Sequence, residues 1–166
     1  MKRFVHLNYN IDKEYWRDLF YERLNEGQWN DSCPRKKTLH WYQIFFHPGT
    51  ELRKLVEPVE RDLNIDGLDT FPRFSYMFPG AVLPIHKDED GLIGININIL
   101  DDVPAPVIHI KGQAFPYEAA LIDVGNIQHS VKAVPHHRLI LKFCLRYPYA
   151  DIYKRIESTG LICPTT

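Results

Sequence analysis

The chain of 166 residues carries 45% apolar and 13% aromatic side chains, enough for one packed core, and its length is that of about one domain. Twenty basic side chains against twenty-one acidic ones give a formal charge of -1, so there is no cationic surplus to neutralise many phosphates and nucleic acid is not an expected partner. Cys33, Cys144 and Cys163 are odd in number and far apart, which argues against a disulfide framework or a thiolate zinc site. Met1 to Asn10 mixes basic and polar residues, and no run approaches roughly 18 consecutive apolar residues. A cytoplasmic protein with neither export signal nor membrane span is expected.

Tyr15, Trp16, Leu19, Phe20 and Leu24 recur at three and four, which predicts an amphipathic helix from Asp12 to Asn25 with Asp12 as its cap. A polar stretch from Asn25 to Lys37 leads into a strand over Thr38 to Phe46, ended by His47, Pro48 and Gly49. Leu52, Leu55, Val56, Val59 and Leu63 then mark a second helix, with Thr50 as cap and Pro58 as a point where it kinks. After Asp66-Gly67 short apolar or alternating runs recur between Gly, Pro and Asp. They predict strands at Phe71 to Phe78, Val82 to His86, Leu92 to Leu100, Pro106 to Ile110, Ala119 to Asp123, Gln128 to Val134 and Arg138 to Tyr147. Without helices between them these strands read as an antiparallel sandwich or jelly-roll barrel, its N-terminal helices covering one sheet. The expected organisation is a mixed N-terminal part over 1–70, a β core over 71–148 and a short tail over 149–166.

His86 and Asp88 stand two apart, so on an extended chain both point to one face and one metal can take both. His129, on a strand that can neighbour the first, supplies the third ligand of a 2-His-1-carboxylate site. Such a site leaves positions open for a bidentate 2-keto acid and for dioxygen, the arrangement that Fe(II) oxygenases use. Nine residues beyond His129, Arg138 opens a strand on which Leu139, Leu141, Phe143 and Leu145 share the opposite face. A guanidinium there can grip the distal carboxylate of 2-oxoglutarate with two parallel hydrogen bonds.

His-x-Asp, a distant His and then Arg, in that order, resembles the Fe(II)/2-oxoglutarate-dependent oxygenases. The text Phe74-Ser75-Tyr76-Met77-Phe78-Pro79-Gly80, followed by Pro84-Ile85-His86, by His129-Ser130-Val131 and by Arg138-Leu139-Ile140, is similar to their aspartyl/asparaginyl β-hydroxylase branch, over roughly Arg73 to Pro148. The resemblance implies a cupin-like double-stranded β-helix, Fe(II) held by His86, Asp88 and His129, and 2-oxoglutarate as co-substrate. It further implies hydroxylation of a C–H bond in an amino acid, peptide side chain or other small molecule, with succinate and CO2 as co-products. Ser75 matches the family's Ser before the Pro-Gly turn and would add a hydroxyl to the carboxylate that Arg138 grips. Asp88 stands where some of these hydroxylases carry Gly, and a carboxylate ligand leaves no vacancy for chloride, so hydroxylation is expected over halogenation. The strand from Gly91 to Ile99 lacks the Arg that the family sets against the other 2-oxoglutarate carboxylate; Asn96 and Asn98, which share a strand face, are its expected substitutes.

Each residue alone has an ordinary reading: Lys87 to Gly91 as a charged loop, His129 as a half-buried strand residue, Arg138 as an edge cation, His136-His137 and Asp101-Asp102 as turn residues, and Trp16, Trp29, Trp41 and Tyr76 as core. Their order along the chain carries the inference. The rival from another class is a non-oxidative cupin-like module that binds a metal and a small acid.

Overall fold

The computed structural model describes residues 2–26, 30–31, 41–89 and 91–164. Trp29, Cys33 and the head of the expected strand at Thr38 to His40 lie outside these residues. In chain order the elements are β1 (Phe4–His6), α1 (Lys13–Asn25), β2 (Asn30–Asp31), β3 (Trp41–Phe45), α2 (Glu51–Leu55), α3 (Glu57–Asp62), β4 (Thr70–Met77), β5 (Leu83–His86) and β6 (Leu92–Asn98). These are followed by β7 (Val107–Ile110), β8 (Gln113–Pro116), β9 (Ala119–Ile122), β10 (His129–Val131), β11 (Arg138–Arg146) and α4 (Tyr149–Glu157).

Asp12 caps α1 by accepting the Tyr15 backbone N–H at 3.0 Å, which satisfies one of the free donors of the first turn. The second helix is in fact two. Thr50 caps α2 through the Arg53 N–H, and the chain breaks at Val56 because Pro58, in the first turn of α3, has no N–H to continue the ladder and would clash with the Lys54 carbonyl. A further departure is α4: the segment over 149–166 is not a plain tail, since Tyr149, Ile152 and Ile156 bury one face of a helix.

The strands form two antiparallel sheets, one in the order β1-β9-β6-β11-β4-β3-β2 and one in the order β5-β10-β7-β8. This is the mainly β, jelly-roll architecture. Period-two alternation gives the larger sheet two characters. One face carries Phe74, Ile93, Ile95, Ile97, Leu139, Leu141, Phe143 and Leu145, packed with Trp16, Phe20, Val56, Leu63, Ile152 and Ile156 of the helices. The other face carries Ser75, Asn96, Arg138, Ile140 and Lys142 and looks toward the smaller sheet. A smaller apolar cluster of Ile108, Tyr117, Ala120, Ile122 and Val124 joins the two sheets at one end. Among the described residues Cys144 and Cys163 are free thiols, and no helix is long and apolar enough to cross a membrane.

Candidate metal centre and its cavity

The smaller sheet sets the centre. β5 and β10 run antiparallel with His86 and His129 as direct partners, so the two rings meet with centroids 4.3 Å apart. The turn that feeds β5 is fixed by Gly80, whose φ of 79° suits only glycine without strain and whose N–H donates to the Val134 carbonyl at 2.8 Å. Past β5 the Asp88 N–H donates to the Val124 carbonyl at 3.1 Å and holds the loop in place. One ligand atom from each of His86, Asp88 and His129 lies within 4.8 Å of the others.

The hydrogen bonds fix which nitrogen faces the centre. His86 Nδ1 lies 2.8 Å from the Pro84 carbonyl and His129 Nδ1 lies 3.1 Å from the Ile127 carbonyl. A carbonyl only accepts, so both Nδ1 atoms carry a proton; in the neutral rings both Nε2 atoms present a lone pair, and when His86 is protonated its Nε2 donates to Asp88. The two Nε2 atoms sit 3.1 Å and 3.7 Å from Asp88 Oδ1. Burial pushes the Asp88 carboxyl up, but the hydrogen bond with His86 and the charges of Lys142, His129 and His86 outweigh it and hold the acid well below the usual range. The same hydrogen bond raises the His86 pKa, whereas burial lowers that of His129. Two imidazole nitrogens and one carboxylate oxygen on one side, with the rest open, suit a divalent first-row metal such as Fe(II).

Beside His129 a narrow cavity of about 50 Å³ runs between the sheets, lined by Ser75, Asn96, Tyr117, Ile140 and Lys142 and reaching Arg138. Arg138 is only 8% exposed. Its Nη2 donates to the Lys132 carbonyl at 3.0 Å and its Nη1 to the Val107 carbonyl at 3.4 Å, while its buried Nε has no partner. Ser75 Oγ accepts the Trp41 indole N–H, which leaves the hydroxyl proton free to donate. Asn96 donates to the Tyr117 hydroxyl at 3.3 Å and its Oδ1 is buried without a partner; burial pushes the Tyr117 pKa up to about 12, so the phenol stays neutral.

Asn98 stands apart. It shares the strand face of Asn96, but its amide donates to the Leu100 carbonyl and to Glu118 and accepts the Leu100 N–H, and it is not among the residues that line the cavity. Lys142, in turn, was not anticipated: it is 7% exposed, with Nζ 3.6 Å from Asp88 Oδ2. Its parity with Arg138 and Ile140 on β11 was the available signal. Tyr117, at the end of a short loop, had none. His137 accepts or donates with the Tyr76 hydroxyl at 3.0 Å, away from the centre.

No family model matches the chain, and no curated protein matches it at a significant level. Solved structures do. A prolyl-4-hydroxylase from Pseudomonas putida superposes with a TM-score of 0.65 at 15% identity, over 86% of this chain and 90% of that one. A viral collagen prolyl hydroxylase from Paramecium bursaria Chlorella virus, in its 2OG complex, gives 0.57 at 11% identity, over 86% of this chain and 95% of that one. The fold is the double-stranded β-helix. Within that β-helix family of shapes the chain is also similar to the DMSP lyase DddQ of Ruegeria pomeroyi, with a TM-score of 0.53 at 11% identity over 84% of this chain and 66% of that one. At such identities the likeness speaks to the β-helix and not to the reaction.

Proposed function

We propose that the protein is an Fe(II)- and 2-oxoglutarate-dependent dioxygenase that hydroxylates an unactivated C–H bond. The observation that carries this reading is the convergence of His86 Nε2, His129 Nε2 and Asp88 Oδ1, both imidazoles turned by backbone carbonyls, beside a cavity that ends at a buried arginine. The structural likeness to two prolyl hydroxylases supports it. The finer affiliation, with the aspartyl/asparaginyl β-hydroxylase branch, rests on the text from Phe74 to Gly80 and on His129-Ser130-Val131.

When bound, Fe(II) and 2-oxoglutarate supply the coupled reduction of dioxygen, with release of succinate and CO2. The chain's own residues bind and orient. His86, Asp88 and His129 would hold the metal. Arg138 would grip the distal carboxylate, its buried Nε having no hydrogen-bond partner among the described residues, and the Ser75 hydroxyl would donate to the same group. Asn96 Oδ1 and the neutral Tyr117 hydroxyl line the middle of the cavity. Ile140, Val131 and Leu83 keep bulk water from it. As a carboxylate ligand Asp88 would leave no vacancy for a halide, which would favour hydroxylation.

The test is conversion of 2-oxoglutarate to succinate by Fe(II)-loaded protein. Asp88→Ala is expected to lower the rate at least a hundredfold; an unchanged succinate yield would contradict the ligand assignment. Metal binding with no succinate from the unaltered protein, across a panel of amino acids and short peptides, would favour the cupin-like binding module.

A further inference from the structure

The narrow cavity opens on His129; a wider groove of about 490 Å³ opens on His86 and Asp88, with Lys142 bordering both. The strand register lays out its floor. Phe45, Arg73 and Lys142 are successive cross-strand partners on β3, β4 and β11. Two cations therefore stand directly opposite one another on one sheet face, an arrangement that costs stability unless something answers it. Among the described residues little does. Lys142 Nζ is 3.6 Å from Asp88 Oδ2, and the Arg73 guanidinium lies over the Phe45 ring at 5.5 Å. Arg73 Nε is buried without a hydrogen-bond partner, and among the described residues no carboxylate pairs with Arg73. Arg146, at the rim over Phe71, is already paired with Glu89.

Charge balance in the loaded site sharpens the point. A divalent metal offsets Asp88 and one charge of 2-oxoglutarate, and Arg138 offsets the other. Asp88, the carboxylate beside Lys142, would then be engaged by the metal, and among the described residues none pairs with Arg73. Two buried or half-buried cations facing one groove call for an anion, held by the planar fork of Arg73 and the point charge of Lys142. Phe45 and Phe71, on the same wall, offer apolar surface for the body of the ligand.

We infer that this groove receives the substrate to be oxidised, and that the substrate is a small molecule bearing a carboxylate or phosphate, gripped by Arg73 and Lys142 with its apolar part against Phe45 and Phe71. The inference rests on the oxygenase reading, because only there is the groove next to a reacting centre. It excludes cationic substrates and disfavours neutral ones.

The experiment uses protein loaded with Zn(II), which takes the same nitrogen and oxygen ligands without turnover. Calorimetry first measures 2-oxoglutarate, then, at saturating 2-oxoglutarate, phenylacetate, phenyl phosphate and the uncharged phenylacetamide. At least one acid is expected to bind ten times more tightly than the amide, and which acid does so identifies the anion. Arg73→Gln is expected to weaken that acid at least tenfold, and Arg73→Lys to recover part of the loss, with circular dichroism reporting the fold of each variant. If 2-oxoglutarate fails to bind the unaltered protein, the oxygenase reading falls and this inference with it. If 2-oxoglutarate binds but the acids bind no better than the amide, or folded Arg73→Gln binds them equally well, the inference alone is overturned.

Discussion

Each of His86 and His129 uses one ring nitrogen on a backbone carbonyl and offers the other to the centre, so metal binding needs both rings neutral. Protons compete with metal at these two sites. The hydrogen bond to Asp88 raises the His86 pKa, so in the free protein that ring takes up its proton at a higher pH than an ordinary histidine, whereas buried His129 resists protonation. Metal affinity is therefore expected to be greatest at alkaline pH and to start falling above the ordinary histidine value of 6.5, where His86 protonates first, with His129 following only below it. Mn(II) titrations from pH 5 to 8 check this; affinity that does not change with pH would contradict it. Arg138 and Asn98 form a contrasting pair. Arg138→Gln removes a charge-assisted clamp of about 1.5–3 kcal/mol, a loss of about 10- to 100-fold in 2-oxoglutarate affinity. Asn98→Ala is expected to cost about 1–3 kcal/mol in denaturant stability and to leave that affinity unchanged. The two asparagines look alike in sequence because alternation reports which face a residue is on. Depth along that face depends on where the strand ends, and β6 ends at Asn98, whose amide folds back onto Leu100.

At the scale of elements, the loop that carries Asp88 packs closely against an adjacent backbone, that of Val124 and Gly125. A Cβ on Gly125 would collide with the Glu89 carbonyl and come within 2.6 Å of the Leu92 nitrogen, both of them backbone atoms that cannot swing aside. Gly125→Ala is expected to displace the loop and weaken metal binding at least tenfold in a protein that still folds; unchanged affinity in the same Mn(II) titration would contradict it. Much of the element order followed from period and punctuation: α1 from its three-four spacing and Asp cap, and β4, β5, β6, β9 and β11 from alternation between turn residues. Several elements did not. β7 was legible in the run from Pro106 to Ile110, but its partner β8 was not: the two are joined by Lys111-Gly112, with φ of 50° and 81°, a tight hairpin turn of the type usually marked by Asn-Gly. Lysine at the left-handed position hid it. β1 has three residues, too few for a period, and draws its pairing from distant β9. The spacing of Tyr149, Ile152 and Ile156 behind Pro148 did signal α4, and reading those residues as a tail overlooked it.

For the whole molecule, the larger sheet divides the labour by parity: one face packs the helices, the other meets the smaller sheet across a polar interior. Of the expected metal ligands and the arginine clamp only Arg138 belongs to that inward face; His86 and His129 come from β5 and β10 of the smaller sheet and Asp88 from the loop after β5, and it was their order along the chain that grouped them in the sequence. The near-zero net charge averages over the whole chain and does not report that Arg73, Lys142 and Arg138 gather on one inner wall. Only the sheet register brings Arg73 beside Lys142. The central claim, a one-sided metal centre that chelates a 2-keto acid, is tested most directly by adding Fe(II) and then 2-oxoglutarate to the apoprotein without oxygen and recording the visible spectrum. The account predicts a charge-transfer band in the unaltered protein that is absent from folded His129→Ala. A folded, iron-loaded protein that shows no band at saturating 2-oxoglutarate would contradict it.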